Sequence, residues 1–193
     1  TFDRQSEPLN PIFPRVLGPA FDTLPKAIRD THHTAGITRW QGHASVQRGI
    51  GLWSRLLATL FRFPPAAENT PVTVTKTATA KGETWVRRFG SRSFRSCLAA
   101  TSRGMTERFG PFTFLLGLTI RNGALHYPVA AGRLGPIPLP RWLLPRSEAR
   151  EYATDGKLHF DVRLLAPVTG ALMVHYQGHL SATPAEDPSP PPV

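Results

Sequence analysis

The sequence is poor in cysteine, with Cys97 as the one thiol in 193 residues. A single cysteine excludes an intrachain disulfide and a zinc site built from several cysteines. Long apolar runs are missing too. The longest stretch with few polar residues, Phe112 to Ile120, is too short to span a bilayer. Apolar residues nevertheless make up 40% of the chain. We therefore expect a soluble, cytoplasmic protein that folds around an apolar core.

Acidic residues are also scarce, and the formal net charge is +10. The densest basic stretch interleaves arginines with aromatic side chains between Trp85 and Phe109. Such a stretch can bind single-stranded nucleic acid. The arginines, however, fall on both faces of the predicted strands, and no RNP-like or OB-type motif is present. We expect no appreciable nucleic-acid binding at physiological salt, and weak binding to nucleic acid or another anionic surface remains an alternative.

Proline and glycine are frequent, with 20 and 16 residues, and they divide the chain into short segments. The first 13 residues contain three prolines and look like a leader. Residues 14–182 are predicted to form a single β-rich domain. Residues 183–193 are predicted to form a Pro-rich disordered tail.

Helical spacing of apolar residues is confined to the N-terminal part of the domain. It occurs between Pro14 and His32, and again over residues 50–63. The second segment has an apolar stripe that predicts an amphipathic helix. We expect this helix to pack on the sheet through three leucines, namely Leu56, Leu57 and Leu60.

Alternating apolar and polar residues dominate the rest of the chain. Residues 36–47 read as a half-buried strand, and most of residues 71–182 reads as strands joined by short turns. Asn122-Gly123, flanked by apolar runs, is the strongest hairpin signal. We predict a mainly β (α+β) fold in which an antiparallel meander forms a barrel or strongly curved sheet, with two short N-terminal helical segments packed on it.

Alternation also forces charged residues onto the inner face of two predicted strands. Arg87 and Arg88 point to opposite faces of one strand, as do Glu148 and Glu151 of another, so one arginine and one carboxylate are inside in either orientation. A buried charge is costly unless it is paired or used. Two interpretations stay open: a structural Arg–Glu pair, and the polar floor of a ligand pocket.

No residue pattern indicates an enzyme. Gly49-Ile-Gly51-Leu-Trp-Ser54 lacks the third glycine of a dinucleotide fingerprint, and no Gly-x-Ser-x-Gly elbow occurs. Cys97 is predicted to be a buried, inert thiol. His159, His175 and His179 fall on neighbouring strands, where solvated histidines are the expected state and a metal site is the alternative. We predict no catalytic residues, no bound metal and no cofactor.

Five short motifs resemble the bacterial domain-of-unknown-function family 4166, over roughly residues 13 to 181. They are Phe13-Pro-x-x-Leu-Gly-Pro-Ala-Phe21, Trp85-x-Arg-Arg-Phe-Gly90-x-x-x-Phe94-Arg-Ser96, Glu107-Arg-Phe-Gly-Pro111, Gly156-Lys-Leu-His-Phe-Asp161-Val and Tyr176-x-Gly178-x-Leu180. The resemblance implies a domain that occurs alone or follows an NAD(P)-binding module similar to saccharopine dehydrogenase or to short-chain dehydrogenases. The family has no established activity, so the resemblance implies no catalytic residues.

These observations favour a non-enzymatic binding domain for a hydrophobic or lipid-like small molecule. The strands carry more large apolar residues than one face of a flat sheet can cover, so we predict an interior cavity. An acidic head group of the ligand would meet Arg88 or Arg95 at the mouth. The predicted lining is aromatic: Phe94, Phe112, Phe114, Phe160 and Tyr176. The alternative is a structural or regulatory accessory domain of an NAD(P)-dependent oxidoreductase, with no ligand of its own.

Overall fold

The computed structural model describes residues 10–61 and 63–183. Most of the predicted leader and all but the first residue of the predicted tail lie outside these ranges. Three α-helices occur in the described residues, and none of them is long and apolar enough to cross a membrane. The helices are α1 (Ile12–Leu17), α2 (Lys26–His32) and α3 (Leu52–Leu60). Single 3-10 turns follow α1, at Gly18–Thr23, and precede the last three strands, at Arg141–Leu143.

Thirteen β-strands are present in the described residues. In chain order they are β1 (Ile37–Arg48), β2 (Ala67–Thr79), β3 (Gly82–Phe89), β4 (Arg92–Thr101), β5 (Gly104–Phe109), β6 (Phe112–Leu116), β7 (Thr119–Arg121), β8 (Ala124–His126), β9 (Val129–Leu134), β10 (Ile137–Pro138), β11 (Arg146–Thr154), β12 (Lys157–Leu165) and β13 (Leu172–Ala182).

All strands join one antiparallel sheet, in the order β10-β9-β6-β5-β4-β3-β2-β1-β13-β12-β11-β8-β7. This confirms the predicted mainly β, antiparallel architecture with short N-terminal helices. The sheet also contains β1, because β1 pairs with both β2 and β13. The order ends at β10 on one side and at β7 on the other, so the strand pairing does not establish the predicted barrel.

The Asn122-Gly123 hairpin forms where the sequence predicts it, between β7 and β8. Asn122 has φ of 50° and Gly123 has φ of 72°. Two consecutive residues with positive φ define a type I′ turn, whose twist matches that of the flanking strands. Asparagine and glycine are the residues that adopt this conformation at least cost, which is why the dipeptide is a reliable signal.

The first two helices cover one part of the sheet. α1 lies against β4 and β5, and α2 lies against β11 and β12. Ile12, Phe13 and Ile28 are fully buried there. Glu83 on β3 accepts hydrogen bonds from the Ile12 backbone N–H at 3.3 Å and from Trp85 Nε1 at 2.8 Å, so a buried carboxylate ties the start of α1 to the sheet.

α3 has the opposite orientation to the predicted one. Leu56 is 58% exposed and Leu60 is 55% exposed. The helix instead faces β13 with Ser54, whose hydroxyl donates to the carbonyl of Leu172. The prediction that Leu56 and Leu60 pack on the sheet is therefore wrong, and the side chain of Leu57 lies outside what the structure describes. An apolar stripe shows that a helix is amphipathic, but it does not show which neighbour covers the stripe.

Candidate functional site

A cavity of about 170 Å³ lies on the inner face of the sheet. Strands from β2 to β13 line it, together with Phe61 and Phe63 after α3. Four of the five predicted aromatic residues are in the lining: Phe94, Phe114, Phe160 and Tyr176. Phe112 is outside the lining and stacks on Phe114, with ring centroids 6.4 Å apart.

Aromatic rings form a continuous part of the cavity wall. The Phe89 ring lies 6.0 Å from Phe94 and 5.3 Å from Tyr176, and the Tyr176 ring lies 6.1 Å from Phe160. These contacts connect β3, β4, β12 and β13, because alternate residues of each strand point to the same face. The wall is therefore rigid and mainly apolar.

The inner arginine is Arg87, and the predicted roles of Arg88 and Arg95 at the cavity mouth need correction. Arg88 and Arg95 are exposed on the outer face. Arg87 shares the inner face with Trp85 and Phe89, both of which are buried. The two large aromatic residues decide which face of β3 turns inward, and Arg87 follows because it lies between them.

Arg87 is paired inside the cavity wall. Its guanidinium donates to Glu107 Oε1 at 3.0 Å and to the Ser96 hydroxyl at 2.7 Å, and Ser96 donates to the same carboxylate oxygen at 2.7 Å. The guanidinium also lies over the Trp85 ring, 4.7 Å from its centroid. Alternation anticipated an inner arginine and an inner Glu148 or Glu151, but the partner of Arg87 is Glu107 on β5, and both members of this pair line the cavity.

A second group of polar side chains, which we call the buried polar cluster, consists of His32, Lys76, Tyr127 and Glu151. His32 Nε2 makes a short contact with Glu151 Oε2, and the Tyr127 hydroxyl donates to that same oxygen at 2.8 Å. Lys76 Nζ lies 3.3 Å from His32 Nδ1 and donates to the carbonyl of Thr31 at 2.7 Å. The ammonium also sits 3.9 Å from the centre of the Trp85 ring.

Burial changes the acidity of this cluster. Burial lowers the pKa of Lys76 to about 7, against the opposing charges of Glu151 and Glu83. Burial alone would raise the pKa of Glu151, but the charges and hydrogen bonds of its partners hold it below the usual range. Burial and the nearby Glu151 carboxylate raise the pKa of Tyr127 well above its ordinary value. The cluster thus keeps an ionised carboxylate inside the protein and weakens the proton affinity of the lysine.

Tyr176 is a polar group of the cavity wall with free hydrogen-bonding capacity. Its ring is packed against Phe89 and Phe160, and no side-chain hydrogen bond to its hydroxyl occurs within the described residues. Burial raises its pKa to about 12, and Glu107 and Glu151 act in the same direction. The hydroxyl therefore stays protonated at neutral pH and is available as a donor.

Sequence reasoning placed Glu151 among the candidates for an inner carboxylate and missed its three partners. Lys76 alternates with Val72 and Val74, so strand periodicity did carry a signal for its burial. His32 carried no such signal. It lies at the end of α2, where the sequence shows two adjacent histidines, and its complete burial depends on Phe13, whose ring is 3.8 Å away.

The histidines of β12 and β13 do not form a metal site. Within residues 10–61 and 63–183, no group of three or more histidine, cysteine or acidic side chains could hold a metal ion. His175 pairs with Asp161 at 2.8 Å, and the rings of His159 and His179 lie 5.8 Å apart at an interplanar angle of 40°. The single thiol, Cys97, is half-buried and lies 3.9 Å from the Thr84 hydroxyl.

The fold and the cavity together define a class: an antiparallel β domain with a mainly apolar cavity on the inner face of its sheet, beside paired charged side chains. The chain belongs to the family described as Domain of unknown function (DUF4166), whose model matches residues 24–180. This match confirms the resemblance found in the sequence motifs, although the Phe13 motif precedes the matched range. No curated protein and no solved structure gives a match.

Proposed function

We propose that this domain binds one small, mainly hydrophobic molecule that carries a single hydrogen-bond acceptor, and that it does no chemistry on it. The observation that carries the proposal is the cavity itself, whose wall is mainly apolar and whose inner charged side chains already have partners, with the Tyr176 hydroxyl as a donor that has no side-chain partner. A ligand pocket is expected to be mostly apolar, with a few polar groups that fix the orientation of the ligand.

The size of the cavity limits the ligand. Its volume of about 170 Å³ is close to that of an engineered cavity of about 150 Å³ that binds benzene. A monocyclic molecule fits this space. A long-chain lipid needs additional room, which movement of Phe61 and Phe63 at the end of α3 could provide.

Charge balance favours a neutral ligand over the acidic one suggested by the sequence. Glu107 neutralises Arg87, and Glu151 faces both His32 and Lys76. An acidic head group would have to compete with these carboxylates for the cations. A neutral carbonyl oxygen, as in a ketone, needs only a hydrogen-bond donor, and the Tyr176 hydroxyl is one.

We also propose that the strands wrap around the cavity as a barrel. β6 pairs with β5 and β9, while β8 pairs with β7 and β11. Two backbone hydrogen bonds of 3.0 Å continue these pairings past the strand ends. Gly117, after β6, donates to the carbonyl of Pro128, before β9, and Tyr127, after β8, donates to the carbonyl of Ala149 on β11. The hairpin of β6 to β9 is thus bonded to β5 on one side and to β11 on the other, which supports a closed ring of strands.

The proposal is tested by titrating the protein with cyclohexanone, methylcyclohexane and hexanoate while recording its amide NMR spectrum. We expect saturable shifts with the ketone and the hydrocarbon, and weaker binding of hexanoate. Tyr176→Phe should weaken binding of the ketone by roughly threefold to tenfold, which is the contribution of one neutral hydrogen bond, and should leave binding of the hydrocarbon unchanged.

Ala149→Leu provides the steric control, because Ala149 lines the cavity and a larger side chain there occupies the ligand space. Ala131→Leu is the matched substitution at an exposed position of β9. We expect the first to abolish binding of all three probes and the second to have no effect. If no probe binds saturably, or if Ala149→Leu leaves binding intact, the domain is not a cavity-binding module and the accessory role takes its place.

A further inference from the structure

The outward face of α3 carries a stripe of exposed apolar side chains. Leu52 is 85% exposed, Leu56 and Leu60 follow at four-residue intervals, and Ile50 just before the helix is 94% exposed. Leucines spaced by four lie on one side of a helix, so they form a single ridge. Single exposed apolar side chains are common on folded proteins. Several of them side by side mark a contact surface.

Three arginines border this ridge. Arg48, Arg55 and Arg92 line one shallow groove of about 540 Å³ beside α3, and no acidic residue lines it. None of the three forms an ion pair within the described residues. Burial, together with the charge of Arg92, lowers the pKa of Arg48, so two guanidinium groups face each other here without a neutralising carboxylate.

The same segment leads directly to the cavity. Phe61 and Phe63 follow the ridge and line the cavity. Arg48 holds the chain after them in place, since its guanidinium donates to the carbonyls of Phe63 at 2.8 Å and Pro64 at 2.7 Å. A surface that binds through α3 would therefore lie beside the aromatic end of the cavity.

We propose that α3 is an interfacial helix that docks this domain on the surface of an anionic phospholipid bilayer. The leucine ridge enters the boundary between head groups and acyl chains, and the three arginines contact lipid phosphates. An amphipathic helix with leucines on one face and arginines beside it has the composition that binds in the plane of such an interface. The inference goes beyond the proposed ligand binding and does not depend on it.

Charge complementarity is the reason to choose a lipid surface over a second copy of this chain. A second copy would bring the same three unneutralised arginines against each other, and its net charge of +10 repels at long range. An anionic bilayer instead attracts each arginine near its surface, and this attraction is screened by salt. Burial of the leucine ridge and attraction of the arginines to anionic lipid both contribute, so binding should need the apolar ridge and low or moderate ionic strength.

Vesicle flotation tests the proposal with the full chain. We expect the protein to float with vesicles of phosphatidylcholine and phosphatidylglycerol, to remain unbound with phosphatidylcholine alone, and to dissociate at high salt. The double variant Leu52→Ser/Leu56→Ser should reduce partitioning by roughly tenfold or more, because each leucine loses its burial in the bilayer. Arg55→Gln/Arg92→Gln should reduce it by roughly thirtyfold for anionic vesicles at low salt, in line with the contribution expected for two surface arginines.

Matched controls are Ile137→Ser, which removes an equally exposed apolar side chain on β10, and Arg103→Gln, which removes an arginine from the turn between β4 and β5. Both should bind vesicles like the parent protein, and all variants should keep the parent's melting temperature and its NMR response to cyclohexanone. The proposal is overturned if anionic vesicles recruit no protein at low salt, or if the leucine variant binds them normally. It is also overturned if light scattering shows a dimer that the leucine variant dissolves in the absence of lipid.

Discussion

Replacing Lys76 with methionine should change how the stability of this fold depends on pH. Lys76 is 1% exposed, and burial lowers its pKa to about 7 in the folded state. In the unfolded chain a lysine has a pKa of about 10.4. Between these two values the unfolded state binds a proton that the folded state has released. The buried amine therefore costs stability fully below about pH 7, and this cost disappears as the pH rises toward the unfolded pKa.

The size of the effect follows from the width of that interval. One pKa unit corresponds to about 1.4 kcal/mol of differential free energy. Integrating the proton difference from about pH 7 to about pH 9 gives a gain of about 2 kcal/mol in the free energy of unfolding, attributable to Lys76 alone. The methionine variant has no such group, so its stability should lack this rise. Loss of the hydrogen bond to the Thr31 carbonyl shifts the variant by a constant amount across the interval.

Urea denaturation at several pH values measures the difference directly. The stability of the parent minus that of Lys76→Met should increase by about 2 kcal/mol from about pH 7 to about pH 9. Lys81→Met, at an exposed turn position, should run parallel to the parent. Parallel curves for the parent and Lys76→Met would refute the reasoning, because they would mean that Lys76 keeps its proton inside the protein.

Three further predictions, the first with a matched control variant, test other parts of the structure. Arg87→Leu should destabilise the fold by about 3 kcal/mol, because it removes the partner of the inward-facing Glu107 carboxylate. The control Arg88→Leu, on the exposed face, should change stability by less than about 0.5 kcal/mol, and thermal denaturation of both variants measures the difference. Gly123→Ala should cost about 1 kcal/mol by the same assay, because alanine is strained at positive φ, and a neutral result would contradict the type I′ geometry. Leu56→Ala should leave the urea midpoint almost unchanged, and a loss above about 2 kcal/mol would show that this leucine is buried after all.

Period-two patterning predicted most of this sheet because nearly every strand has one apolar face. The strand that contains Trp85 shows both the strength and the limit of that signal. Alternation established that one arginine had to point inward, and the half-buried, inward-facing Arg87 confirms it. The choice between Arg87 and Arg88 required deciding which face is inner. Trp85 and Phe89 flank Arg87 on the same face, and their combined apolar area outweighs that of Val86 on the other.

Tertiary contacts between distant segments could not be predicted in this way. The burial of His32 depends on Phe13 and Trp85, whose ring centroids lie 3.8 Å and 5.6 Å from that of His32 and 5.9 Å from each other. Nothing in the local spacing of α2 marks this histidine as different from His33. The orientation of α3 was missed for a related reason, since an apolar stripe is equally suited to a protein core and to an external apolar surface.

The buried polar cluster connects four parts of the chain that no local pattern links: the end of α2, β2, the residue after β8, and β11. The cluster also forms part of the cavity wall, because Lys76, Tyr127 and Glu151 line the cavity. His32 links Lys76 to Glu151, and replacing such a set of buried charged groups together by apolar residues of similar volume costs little stability. Keeping it places a lysine of weakened basicity and an ionised carboxylate in the wall of a cavity lined elsewhere by aromatic rings. Strongly shifted ionisable groups that line a cavity are more typical of a binding site than of a simple core. In the proposed function, Lys76 is held by Thr31 and His32, so these charges shape the wall without competing for the ligand, and the Tyr176 hydroxyl is the group that recognises it.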